Sequence, residues 1–134
     1  MITQIMYKES ELTRKIIGLA MSVHREIGPG FQEKIYHRAM LRVLDSSDIS
    51  YESEKVYDIF FRNNKIGIFR ADLVIENKVI IELKSVFGEN PKIFYMQTIS
   101  YLKASKLEVG LLINFGNNSL EVKRLANYKN FKSV

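Results

Sequence analysis

Leu12, Ile16, Leu19, Ala20, Val23 and Ile27 recur at intervals of three and four residues, and this spacing predicts an amphipathic helix over residues 9–27. Gly28-Pro29-Gly30 breaks it. A second helix is expected over 31–44, with Ile35, Ala39, Met40, Val43 and Leu44 as its apolar side and Asp45-Ser46-Ser47-Asp48 as its end. The pattern then changes to that of strands. Residues 55–62 carry Val56, Tyr57, Ile59, Phe60 and Phe61, Asn63-Asn64 turns the chain, and 65–75 forms the next strand. Glu76-Asn77-Lys78 is a short turn into a third strand over 79–87. After Gly88-Glu89-Asn90, Pro91 is well placed to begin a helix over 92–106. Residues 109–115 are almost continuously apolar, so this strand is expected at the sheet centre, covered on both faces. Gly116-Asn117-Asn118-Ser119 leads to a last strand over 120–125, and the polar tail over 126–134, with Tyr128 and Phe131, has no assignable element. The order is ααβββαββ.

Composition narrows the classes. The chain has 134 residues, 46% hydrophobic and 26% charged, which excludes a disordered or collagen-like chain and fits a single domain over 1–134. No repeat, linker or low-complexity tract interrupts it. The absence of cysteine rules out a disulfide framework, an iron–sulfur cluster or a thiolate zinc site, and accords with a reducing compartment. No basic leader precedes an apolar run at the N-terminus, and no apolar stretch reaches membrane-spanning length, so the expectation is a cytoplasmic protein with no membrane partner. The net charge of +5 and pI near 9.4 favour a polyanionic partner, though without a dedicated basic stripe.

Candidate chemistry enters with Val79-Ile80-Ile81-Glu82-Leu83-Lys84. Alternate residues of a strand share a face, so Glu82 and Lys84 leave the same side of a segment otherwise suited to burial. Buried charges are costly unless paired or bound to metal. Asp72 lies on the preceding strand. If Glu76-Asn77-Lys78 forms a three-residue connection, Ile75 pairs with Val79 and Asp72 falls opposite Glu82. A two-residue turn would split the acids across the sheet. The apolar pattern supports the first register: Leu73, Ile75, Ile81 and Leu83 then share one face, leaving Asp72, Glu82 and Lys84 on the other. Two neighbouring carboxylates repel, and a hard divalent cation relieves them; magnesium takes oxygen ligands and is commonly held by one or two carboxylates plus waters and phosphate. The structural alternative is an ion pair between Glu82 and Lys84.

Glu33 falls in the first turn of the second helix with Tyr36 one turn on, and Gln97 and Tyr101 form a polar stripe at i and i+4 on the third helix. The structural alternatives are a favourable helix-dipole charge for Glu33 and ordinary amphipathicity for the other pair. His24 and His37 show no paired metal-ligand spacing; His24 is expected to pack or cap near Gly28-Pro29-Gly30, and His37 to lie on the helix surface.

Taken in order, Gly30, Glu33 and Tyr36, preceded by His24 and Gly28-Pro29, then Asp72, Glu82-Leu83-Lys84, Gln97, Tyr101 and Leu112-Ile113-Asn114-Phe115 resemble the GxxExxY family of the PD-(D/E)XK nuclease superfamily over residues 10–125. The resemblance implies an α/β, restriction-endonuclease-like core, a mixed central sheet flanked by helices. It further implies that Asp72 and Glu82 bind magnesium, with manganese as an alternative, that Lys84 assists the water, that Glu33 completes the acidic cluster, and that Gln97, Tyr101 and Tyr36 support the site or the substrate. Ala71 stands where the superfamily pattern has proline, a backbone-shaping position without a catalytic group. The function so implied is metal-dependent phosphodiester hydrolysis of nucleic acid, DNA ahead of RNA. The alternative is a non-catalytic nucleic-acid-binding module or an interaction protein on the same fold. A domain this small leaves room for a homodimer or a larger complex.

Overall fold

The computed structural model describes residues 8–128, so Phe131 lies outside the described residues. Helices α1 (Ser10–Ile27) and α2 (Glu33–Ser46) precede strands β1 (Tyr51–Phe61), β2 (Asn64–Ile75) and β3 (Val79–Lys84); helix α3 (Lys92–Ser105) and strands β4 (Val109–Asn114) and β5 (Glu121–Ala126) follow. The ααβββαββ order is the one read from periodicity. The strands form one five-stranded sheet in the order β1-β2-β3-β4-β5. Strands β3 and β4 are parallel, as a helical crossover requires, and the other neighbours are antiparallel.

The sheet is covered on both faces. Ile16, Ala20 and Val23 of α1 and Tyr36, Met40 and Leu44 of α2 pack with Leu73, Ile75, Ile81 and Leu83 on one side. Leu102 of α3 packs with Phe69, Ala71, Val74 and Ile80 on the other. Every residue of β4 is buried, which matches its unbroken apolar sequence.

Element boundaries differ where tertiary structure overrides local pattern. Strand β1 begins at Tyr51, not 55, because Tyr51, Glu52 and Ser53 pair with Ile75, Val74 and Leu73 across an otherwise polar stretch. Helix α2 begins at Glu33, two residues late, because Gln32 is extended and the Phe31 N–H donates to the Tyr36 hydroxyl at 3.2 Å instead of entering the helix. Strand β3 stops at Lys84, and residues 85–87 leave the sheet.

The segment that leaves the sheet is held by two side-chain amides. Asn114, fully buried, accepts the Val86 N–H at 2.9 Å on Oδ1 and donates from Nδ2 to the Val86 carbonyl at 3.0 Å. Asn117 does the same for Gly88, at 2.8 Å and 2.9 Å. Gly116 lies between the two asparagines, and a Cβ there would run into the backbone of Val86. Gly116→Ala is therefore expected to force the 85–88 segment off its asparagines. Overpacking of this kind costs about 1–3 kcal/mol or more. Thermal melting should show a clear loss of stability in Gly116→Ala and none in Gly67→Ala, where an added Cβ meets nothing; equal melting of the two proteins would refute the clamp.

Candidate active site

The antiparallel ladder between β2 and β3 runs through Ile75↔Val79, Val74↔Ile80 and Leu73↔Ile81 and then ends. This is the three-residue-turn register, and it brings Asp72 against Glu82. Backbone pairing does not continue there, because the two carboxylates take the place of the next rungs. The Asp72 N–H donates to Glu82 Oε2 at 3.0 Å, and the Leu83 N–H donates to Asp72 Oδ2 at 2.8 Å. Each acid thus satisfies an amide of the opposite strand, as buried backbone donors require.

The opening has a cause on its other flank. Pairing of β1 with β2 skips from Ser53↔Leu73 to Lys55↔Ala71, and Glu54, opposite Asp72, sits in the left-handed region with φ 54°. Across this step the inward-facing set changes: Leu73 and Ile75 face α1 and α2, whereas Phe69 and Ala71 face α3. Asp72 lies at the crossover, where the sheet changes the face it presents.

The charges are crowded. Burial, and next the Asp72 charge, push the Glu82 carboxyl from 4.5 up to about 8, against the Asp72 N–H and Lys84, which pull it down. Burial also raises Asp72, opposed by the Leu83 N–H, His37 and Lys84, with Glu54 adding to the rise. Glu33, at the N-terminal turn of α2, is raised by burial and by Asp72 and lowered by Lys84. Its charge is felt by Glu82, but among the described residues no three acid or histidine side chains are gathered into one metal-holding cluster. Asp72 and Glu82 are joined through each other's strand amides, and Glu33 acts on them through its charge.

Lys84 makes no ion pair with Glu82; the ion pairs among the described residues are Lys8–Glu108, Lys55–Glu52 and Lys65–Asp58. Its Nζ lies instead 4.4 Å from the centroid of the Phe94 ring on α3. A cation over an aromatic face is held without being neutralised. Tyr101 stacks on Phe69 at 4.2 Å, which in turn stacks on Tyr57 at 5.1 Å. Burial, Glu82 and Asp72 raise the Tyr101 hydroxyl, and a hydrogen bond with Gln97 opposes the shift. Gln97 and Tyr101 therefore border the acids from α3.

Tyr36 has a different place. It is fully buried, stacks on Phe115 at 4.6 Å, and donates its hydroxyl proton to the Gly28 carbonyl at 2.6 Å. It fixes the turn that delivers Glu33 and supports the site from below. His24 is likewise structural, its Nε2 donating to the Asn117 carbonyl at 2.8 Å. His37, expected on the helix surface, meets Ser53 Oγ at 2.8 Å and sends its charge toward Asp72. Its position four residues after Glu33, one turn along the same side, was the signal that could have identified it. Glu54 had no such signal, since its stretch did not read as strand.

The donor set fits a hard divalent ion. Asp72 and Glu82 offer oxygen ligands, each with only one oxygen bound by a backbone amide, and magnesium needs no more than one or two carboxylates from protein. The same crowding sets a pH dependence. The folded Glu82 carboxyl binds its proton more tightly than the unfolded one, so the stability it contributes is full below pH 4.5 and is lost as pH rises toward 8. Asp72 acts in the same direction. Without divalent ions, unfolding free energy should fall between pH 5 and 8 by as much as about 1.4 kcal/mol per pH unit for each proton. Glu82→Gln should flatten most of that fall in a urea titration across pH; an unchanged slope would contradict the crowding.

The model of the PD-(D/E)XK nuclease superfamily matches residues 10–125. Among solved structures, the crystal structure of SSO0001 resembles this chain with a TM-score of 0.57 at 24% identity, over 71% of this chain and 50% of that one. The chain thus spans half the length of that protein, and the likeness concerns the fold. No curated protein matches the sequence. Nucleases of the superfamily usually use divalent metals. With a mixed five-stranded sheet between helices, the restriction-endonuclease-like architecture, and a match over nearly all of its length, the chain belongs to the PD-(D/E)XK nuclease superfamily.

Proposed function

We propose that this protein is a magnesium-dependent nuclease of the GxxExxY type, with manganese as an alternative ion, that hydrolyses phosphodiester bonds in nucleic acid. The observation that carries the reading is the reciprocal Asp72–Glu82 exchange beside an unneutralised Lys84. A merely structural Glu-x-Lys pair would have closed on itself. The order Gly30, Glu33, Tyr36 with its buried tyrosine supports the GxxExxY assignment.

When bound, the metal would polarise the phosphoryl oxygen and lower the pKa of a water. Asp72 and Glu82, each kept in place by the strand amide that donates to it, would hold it, with Glu33 completing the acidic cluster. Lys84, steadied on Phe94, is directed to the attacking water or to the charge that develops on the scissile phosphate. Gln97 and Tyr101 line the α3 side. DNA ahead of RNA is the substrate expected of the family. Cytoplasmic action fits a chain without cysteine, and no described helix is long and apolar enough to cross a membrane.

Two measurements test this. On a panel of DNA and RNA substrates, wild type should cleave with magnesium or manganese and not with EDTA, and Lys84→Met should fall by about 10²-fold or more while metal still binds. Cleavage by Lys84→Met at the wild-type rate would refute the role of Lys84; no cleavage by wild type on any substrate would favour the non-catalytic binding module. Magnesium should also raise the melting temperature of wild type, with about 2.7 kcal/mol gained at a hundredfold excess over Kd. Asp72→Asn should lose most of that response, and an equal response would remove Asp72 from the metal ligands.

A further inference from the structure

Among the described residues Phe87 is the most exposed of the large apolar side chains, with 94% of its surface open to water. Its backbone is nevertheless fixed on both sides. The residues on both sides of it, Val86 and Gly88, are each bound through N–H and carbonyl by a single asparagine side chain, Asn114 and Asn117. Such a clamp orders the backbone, yet the ring it presents buries almost nothing, so the arrangement gives the fold no packing in return.

The position of the ring narrows its purpose. Phe87 lies three residues beyond Lys84, no more than about 11 Å along the chain. Ser85, between them, donates its hydroxyl to the Phe31 carbonyl at 2.6 Å, which ties the segment to the chain just before α2. The flanking charges are Lys84 and Lys92 against Glu89, on a protein of net charge +5. Gly88 and Glu89 follow Phe87 directly, and on α3 beyond them Ile93 and Met96 are also exposed.

The geometry points to Phe87 as a preorganised stacking platform for an unpaired nucleobase, placed next to the phosphate that Lys84 would reach, so that the favoured substrate is a single strand or a locally unpaired one. Every base has a π-face, and in a closed duplex those faces are already stacked. A ring whose backbone is fixed before binding loses little freedom on contact. This inference rests on the nucleic-acid reading given above but not on cleavage.

The test is binding with EDTA present, so that nothing is cut. Fluorescence anisotropy would compare wild type, Phe87→Ala and Phe87→Trp on a short single-stranded DNA, on the same strand bearing abasic positions, and on the matching duplex. Phe87→Ala should weaken single-strand binding about tenfold, leave duplex binding unchanged, and fail to weaken the abasic strand further. Phe87→Trp should keep or improve the affinity, and neither variant should melt differently from wild type. Equal single-strand affinity of wild type and Phe87→Ala, or an equal loss on duplex, would overturn the platform. So would a change of oligomeric state in Phe87→Ala by sedimentation with binding unaffected, which would make the ring a protein contact. Wild type without affinity for any of the strands, in EDTA and in magnesium alike, would remove the nucleic-acid reading as a whole, whereas binding without cleavage in magnesium would leave the platform standing and remove the nuclease reading alone.

Discussion

Two strands that stop pairing, each holding the other's acid, set the conditions for the whole site. The Asp72 N–H goes to Glu82 and the Leu83 N–H goes to Asp72, so the carboxylates are fixed by the backbone donors that the opened ladder releases. Neither acid could be removed without leaving a buried amide unpaired, a loss of about 1–3 kcal/mol. On the other flank the left-handed Glu54 of β1 stands opposite Asp72, where the outer hairpin changes the face it turns inward. Sheet geometry and acid placement are therefore a single structural fact.

Several motif residues act at one remove from this opening. Tyr36 ties the Gly28 turn to the core through its hydroxyl and thereby aims Glu33. Asn114, at the end of the apolar β4 strand and opposite Lys84, turns its amide to the segment that follows β3. Gly116 lets that segment come close enough to be held. The spacing of Gly, Glu and Tyr in the second helix and the Ile-Asn-Phe ending of β4 are thus requirements of the scaffold, and the chemistry they serve lies on β2 and β3.

The sequence made the core easy to read and the periphery hard. Helices α1 and α2 carry strong periodicity and the buried strands unbroken apolar runs, whereas α3 has little amphipathic pattern and was marked by Pro91 at its start; together these set the element order and the β2–β3 register. The pairing of Asp72 with Glu82 was legible because a strand's period is two and the turn length fixes the phase. What was not legible depended on partners distant in sequence. Glu52 and Ser53 join a strand only because β2 lies beside them, and the late start of α2 reflects a tyrosine hydroxyl competing for the Phe31 amide. The place of Lys84 on Phe94 required the crossover helix to be packed first. Glu54, opposite Asp72 on β1, comes from a stretch whose relation to β2 no local pattern encodes.

The distribution of charge makes the strongest physical argument for a cation at this site. The chain is basic as a whole, which draws a polyanion toward it from a distance. At the site itself the balance reverses: Asp72, Glu82, Glu33 and Glu54 act on one another, with Lys84 and His37 as the opposing charges. A phosphodiester brought to Lys84 would meet that acidic group at close range. Protonation of Glu82 removes part of the repulsion, but it also removes the charge with which that carboxylate would hold a metal. A divalent ion held by these acids would relieve the carboxylates and offer the phosphate a positive contact. An acidic centre within a basic protein is thus consistent with nucleic-acid chemistry when the ion is counted as part of the local charge, and an account of the site that omits it leaves the attraction and the repulsion unreconciled.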